Sequence, residues 1–136
     1  LCHRVGERGG VTGPDLSAVS SRFRPRDVLT SILDPSKVVS EKYRSETFVL
    51  EDGRIITGQL VPGGDFRSSK LRVMTDSLDP TKLVEFAKSA VELHKPSPLS
   101  PMPKGLVDTL TKDEILDLLA YLNAAGRKGH PSFRGK

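Results

Sequence analysis

Two adjacent residues near the start of the chain, Cys2 and His3, have the side chains to hold a metal or a prosthetic group. Read alone, the pair is more readily a buried inert thiol or a surface imidazole. It is also the closing pair of Cys-x-x-Cys-His, the pattern that attaches c-type haem. The first Cys of that pattern would stand two residues before Leu1, and Cys2 is the chain's single cysteine. Ten residues after His3 comes Gly13-Pro14-Asp15-Leu16. An iron-ligating imidazole needs its second ring N–H held by an acceptor, and a carbonyl in a stiff proline segment suits that role. An ordinary Gly-Pro turn is the alternative. Far along the chain, Met102 sits in Ser-Pro-Met-Pro. A thioether is a soft, neutral ligand whose bond to iron is weak, so a loop stiffened by proline helps keep it in place. Otherwise Met102 fills an apolar gap. Met74, in a strand-like run, reads as core.

The same residues allow other chemistry. Cys2 as a hydrolytic nucleophile would need a base and an orienting group built around it, and a thiol next to a chain end lacks such surroundings. His94 reads as a strand-end or loop residue and His130 as a tail residue; neither has a chemical role in this reading.

Composition narrows the classes further. The chain has 136 residues, enough for one domain with an insertion. It is 36% hydrophobic and 5% aromatic with no Trp, a lean core that a large apolar cofactor would help fill. The net charge of +4 and pI near 9.4 describe a mildly basic, solvated surface, clustered only at Arg22, Arg24 and Arg26. This argues against a dedicated nucleic-acid binder, as do the few aromatics available for base stacking. One cysteine excludes an internal disulfide. No apolar run approaches the roughly 18 residues of a membrane span. The opening Leu-Cys-His, without Met, suggests a piece of a longer protein.

The elements that must position these residues follow from pattern. Gly6, Gly9, Gly10 and Gly13 punctuate a tightly turning loop after the first few residues, which a short helix could cover. Residues 17–43 read as helical, with Val28, Leu29, Ile32 and Leu33 on one face, Pro25 in a first turn, Pro35 as a stop and Ser36 capping a further short turn. Residues 45–95 change character. Two strand-like runs flank Glu51-Asp52-Gly53, a strong hairpin signal, and Pro62-Gly63-Gly64-Asp65 reads as a turn. Residues 70–76 form a third strand. Residues 82–94 are ambiguous between a strand pair and a helix, with strand favoured for the first half. Residues 96–105 carry four prolines and read as a rigid extended loop around Met102. Thr111 and Glu114 form a capping box before a helix with Ile115, Leu118, Leu119 and Leu122 on one stripe, ending over Asn123–Gly126. The remaining tail reads as polar and loosely held.

The order of these features resembles the class I cytochrome c family: Cys-His near the start, a Gly-Pro-x-Leu segment, a Met-Pro loop, then a helix ending in Leu-Leu-Ala-Tyr-Leu. FVLEDGRIITGQLV followed by SPMPKGLVDTLTKDEILDLLAYL resembles in particular the haem-binding domain at the C-terminus of large exported proteins of planctomycete and verrucomicrobial bacteria. The resemblance implies a mainly α, cytochrome c-like domain with an inserted small β-sheet or barrel-like unit. Residues 1–44 would be its N-terminal part, 45–95 the β insertion, and 96–136 its C-terminal part with Met loop, final helix and tail. It implies haem c as cofactor. Cys2 would form the thioether to a haem vinyl group, His3 and Met102 would ligate the iron, the Pro14 carbonyl would accept from the His3 ring, and Leu16 would pack on the haem face. With one cysteine, residues 1–136 alone are expected to hold haem poorly or incompletely. The implied function is electron transfer rather than enzymatic catalysis, in the periplasm or otherwise exported, with a redox partner protein or a fused dehydrogenase domain. The alternative from a different class is a protein-interaction module built on the β insertion, without haem.

Overall fold

The structure, a computed structural model, describes residues 2–61, 69–127 and 129–133. The turn expected at 62–65 lies outside the described residues. The chain divides into two compact units, one of residues 1–38 and 102–136, the other of residues 39–101.

The expected mainly α, cytochrome c-like domain is overturned. The chain is mostly β: a two-stranded sheet, a five-stranded antiparallel sheet and three short α-helices among the described residues. The reasons are local. The glycine-rich start makes no helix but a tight hairpin of β1 (Arg4–Val5) and β2 (Arg8–Gly9), with Gly6 at φ 62° in its turn. The stretch read as helical over 17–43 is cut into α1 (Val19–Arg22) and α2 (Pro25–Leu33). Pro25 disfavours helical geometry at the residue before it, and Arg24 is extended at φ −73°, ψ 154°. After Asp34 the chain turns once and then stays irregular up to a single 3-10 turn at Glu41–Tyr43; the turn expected after Ser36 adds no helix.

The unit of residues 39–101 is built from β3 (Glu46–Leu50), β4 (Ile55–Leu60), β5 (Lys70–Met74), β6 (Leu83–Ala87) and β7 (Val91–Pro96). Their order is β6-β5-β4-β3-β7. β3 and β4 form the expected hairpin, closed by Gly53 at φ 84° and by the Gly53 amide donating to the Leu50 carbonyl at 2.8 Å. The ambiguous stretch 82–94 is a strand pair broken by a 3-10 turn at Lys88–Ala90. β6 and β7 are consecutive yet occupy opposite edges. The four Cα steps from Ala87 to Val91 reach at most about 15 Å, whereas a flat five-stranded sheet would separate its edges by about 19 Å. The sheet is therefore strongly coiled. Its concave side buries Phe48, Leu50, Ile56, Val73 and Phe86.

In the other unit, α3 (Lys112–Asn123) opens with the expected capping box: the Glu114 amide donates to Thr111 Oγ1 at 3.3 Å and the Thr111 amide to Glu114 Oε2 at 2.7 Å. The Glu114 carboxyl is held below the usual carboxylate range by the bonds it accepts from the Thr111 amide and hydroxyl. Val19, Ile32, Val107 and Leu122 form a small buried cluster. The tail is tied down as far as it is described, since Asn123 Nδ2 donates to Ser132 Oγ at 2.8 Å. No helix of the described residues is long and apolar enough to cross a membrane.

Candidate functional site

Of the residues singled out by the sequence, Cys2, His3, Pro14 and Leu16 lie together in the loop between Cys2 and Ser17, and Met102 does not. The loop doubles back so that residues 13–16 run beside residues 2–4. The Gly13 amide donates to the Cys2 carbonyl at 2.8 Å, and the Leu16 amide to the Arg4 carbonyl at 2.8 Å. Between these two bonds, His3 Nδ1 lies 2.8 Å from the Pro14 carbonyl oxygen. A carbonyl only accepts, so the bond puts the proton on Nδ1 and the lone pair of the neutral ring on Nε2. Proline contributes to this in two ways. It fixes its own φ, and it has no N–H competing for partners in the crowded turn.

The next residue along each strand adds a second tie. Arg4 Nη2 and Nε donate to Asp15 Oδ2 at 2.6 and 3.1 Å. The Ser17 amide donates to the other oxygen, Asp15 Oδ1, at 2.8 Å, and the Gly6 amide donates to Ser17 Oγ at 2.8 Å. Bonds from the Ser17 hydroxyl and amide, and then from Arg4, hold the Asp15 carboxyl well below the usual carboxylate range. The pair is exposed, so its contribution is to loop geometry more than to stability.

Glycines leave the room this arrangement needs. A Cβ on Gly9, which sits at φ 116°, would overlap the His3 carbonyl oxygen. That oxygen accepts from the Gly10 amide at 3.1 Å. Gly9 thus answers for the His3 backbone and Gly13 for its ring.

Cys2 and His3 are half-buried. Leu16 and Met102 are half-buried as well, and both pack against the cluster of Val19, Ile32, Val107 and Leu122 together with Val5, Val28, Ile115 and Leu118. The structure therefore brings His3 and Pro14 into direct contact, ties Cys2 to Gly13, and sets Leu16 and Met102 on one apolar cluster. Met74 is buried in the other unit. His94 stands outside this site. It stacks on Phe48 with ring centroids 4.6 Å apart and planes 1° from parallel, and its Nε2 lies 3.1 Å from Glu46 Oε2.

The donors are of the chemical types a haem takes, and the His3–Pro14 bond is the geometric observation that suits one. The chain offers an imidazole with its far nitrogen lone pair available, a thiol on the preceding residue, a thioether in a proline-braced loop and apolar side chains beside the thioether. No group of three or more His, Cys, Asp or Glu that could hold a metal ion occurs among the described residues. Sequence reasoning placed Gly9 in this loop but missed Arg4 and Ser17; for Arg4 and Asp15 the signal was their opposite charge beside the two recognised residues, His3 and Pro14. No family model matches the chain, and no curated protein matches it.

Proposed function

We propose that the chain holds a c-type haem through Cys2, His3 and Met102 and serves as an electron-transfer module rather than an enzyme. The observation that carries this is the bond from His3 Nδ1 to the Pro14 carbonyl. A histidine held this way offers Nε2 in one orientation, and the hydrogen bond raises the ring's basicity as a ligand. An ordinary surface histidine has no need of it.

Haem, when bound, supplies reversible one-electron cycling of its iron. The chain's part is to place and tune it. Cys2 would anchor the group covalently, and His3 Nε2 and Met102 would be its iron ligands. Leu16 would face the macrocycle from beside the Pro14 carbonyl. A haem held by two ligands from the chain would suit electron transfer better than substrate binding. The electron partner would be a separate redox protein or a dehydrogenase domain of the same polypeptide, and the location would be exported. This reading rests on the loop and its donors and makes no use of a cytochrome fold.

The test completes the attachment pattern. Residues 1–136 are expressed with and without Cys-Ala placed before Leu1, in a host with c-type haem attachment machinery, and haem is measured as pyridine haemochrome. The completed pattern should carry haem with a low-spin spectrum, and the chain with Cys2 alone should carry little. Met102→Ala should remove the red thioether-to-iron band and lower the reduction potential, because the thioether favours the ferrous state. Absence of haem from the completed pattern, or an unchanged spectrum in Met102→Ala, would overturn the assignment.

A second reading has its own observation. Val49 pairs with Ile55 on one side and Leu93 on the other, so the three share the convex face of the coiled sheet. Ile55 is 68% exposed and Leu93 50%. An apolar row of this kind suits a protein contact. A folded protein that takes up no haem would favour it.

A further inference from the structure

We infer that Gly13 is a positioning residue: its bare Cα sets the plane of the His3 ring and so fixes which ring nitrogen carries the proton. The inference rests on the haem reading for its purpose, though not for its geometry. A Cβ built on Gly13 would stand 2.9 Å from His3 Cε1 and 2.9 Å from His3 Nδ1, closer than real Cβ atoms approach their neighbours. Gly6, Gly9, Gly53, Gly105, Gly126 and Gly129 all have positive φ; Gly13 does not. An L-residue therefore meets no backbone objection at position 13. The main obstacle is the imidazole, with the Cys2 carbonyl oxygen at 3.3 Å a lesser one.

That obstacle has only one way to yield. The Gly13 amide is bonded to the Cys2 carbonyl and the Leu16 amide to the Arg4 carbonyl, so the two backbone segments are held beside each other. The ring is the softer part, and it must turn about its side-chain bonds to admit a methyl group. Turning carries Nδ1 away from the Pro14 carbonyl, a bond that at 2.8 Å leaves little slack. Once Nδ1–H has lost its acceptor, no other hydrogen bond among the described residues holds the ring in that tautomer, and the proton is free to move to Nε2. A ligand nitrogen bearing a proton cannot offer its lone pair to a metal. One methyl group thus acts on the metal-facing atom through the ring, without touching a ligand.

The test reads the ring directly. Nitrogen-15 NMR of the ring nitrogens in the unliganded chain, above the pH at which the imidazole ionises, reports the tautomer of His3. The parent chain should show the proton on Nδ1, and Gly13→Ala should show a mixture or the Nε2–H form. Gly6→Ala is the control. It strains a left-handed glycine in the same loop with open space around its Cβ, so it loosens the loop without pressing on the ring. A shift in Gly6→Ala as large as that in Gly13→Ala, or none in Gly13→Ala, would overturn the inference.

A stability cycle protects against misfolding of the variant. Gly13→Ala should lower the unfolding midpoint in the parent and lower it clearly less in a His3→Ala background, where of the three close atoms only the Cys2 carbonyl oxygen, 3.3 Å from the new Cβ, remains. An equal drop in both would sink the idea. The haem-attachment measurement is separate. If Gly13→Ala moves the proton while the completed attachment pattern takes up no haem, the positioning role stands and the haem reading falls.

Discussion

The two units reach order by different means. Residues 39–101 are held by a sheet whose concave face buries Phe48, Leu50 and Val73 at 1% exposure or less. Phe86 is tilted against Phe48 with ring centroids 5.3 Å apart. Here the side chains alternate, one set inward and one outward, and the core is apolar. In the other unit, residues 2–17 lend only Val5 and Leu16 to the cluster of Val19, Ile32, Val107 and Leu122. They are held by backbone bonds, one imidazole, one ion pair and glycines that leave space. The contrast is of the kind expected between a scaffold and a ligand loop: packing supplies stability in the first, and polar ties supply geometry in the second.

The largest expected effect comes from emptying the sheet's core. Phe48→Ala removes a fully buried ring that touches Phe86 and supports the stacked His94, and it should cost about 3–5 kcal/mol. Amide signals of β3, β4 and β7 should be lost or strongly weakened at a denaturant concentration the parent tolerates. If the contrast between the units is sound, the His3 tautomer and the bonds of residues 2–17 should persist under those conditions. Loss of both sets of signals together would show one cooperative unit and remove the contrast.

The sequence carried much of the scaffold and less of the loop, for physical reasons. Asp52-Gly53 announced its hairpin because a tight turn there needs a residue at positive φ. Thr111 and Glu114 announced α3 because capping uses side chains at a fixed spacing. Residues 82–94 stayed ambiguous because Leu83, Val84, Phe86, Ala87 and Val91 satisfy both strand alternation and a helical stripe. A 3-10 turn at Lys88–Ala90, which decides the matter, has no strong signature. The mainly α reading failed because the helical period of 17–43 was extended past Pro25 and Asp34, where the backbone leaves the helix, while the weight of five paired strands was treated as an insertion. At the site, His3 and Pro14 were legible because each residue type suits its role. Gly13 read only as a turn former. Its use is the absence of a side chain, and that becomes visible only once the ring beside it is placed.

A middle-sized effect sharpens the contrast from the helical side of the first unit. Thr111 caps α3 with its hydroxyl, and Glu114 returns two bonds to Thr111. Thr111→Ala should cost about 1 kcal/mol. The cap sits on the helix that carries Ile115, Leu118 and Leu122 toward the apolar cluster beside Met102. Equilibrium unfolding should therefore show a small, uniform drop for the helical unit, with the β-unit signals and the His3 tautomer unmoved. A cost approaching that of Phe48→Ala would mean that the helical unit depends on its cap far more than its packing suggests.

The smallest expected effect lies in the loop, at Asp15. Its carboxyl is held below its ordinary value by Ser17 and Arg4, so in acid the unfolded chain takes up the proton before the folded loop does. The sign follows. Whatever Asp15 adds is fully present above about pH 4, near the ordinary aspartate value, and is lost as pH falls from there toward the depressed folded value. Above pH 4 it gives no slope. Asp52, Asp76, Asp79 and Glu85 are depressed in the same direction by their own partners in the other unit, so a global acid unfolding curve would mix their effects. The carboxyl carbon shift of Asp15, followed by NMR with the amide shifts of Gly13 and Leu16, isolates the loop. These should move together below pH 4 in the parent, and the amide shifts should stay level in Asp15→Asn, which keeps an acceptor for Ser17 but loses the charge facing Arg4. Added salt should shrink the Arg4 part, because both side chains are solvent-exposed. Loop amides that follow pH equally in Asp15→Asn would assign the acid response elsewhere, leaving the Pro14 bond and the Gly13 space as the features that hold His3.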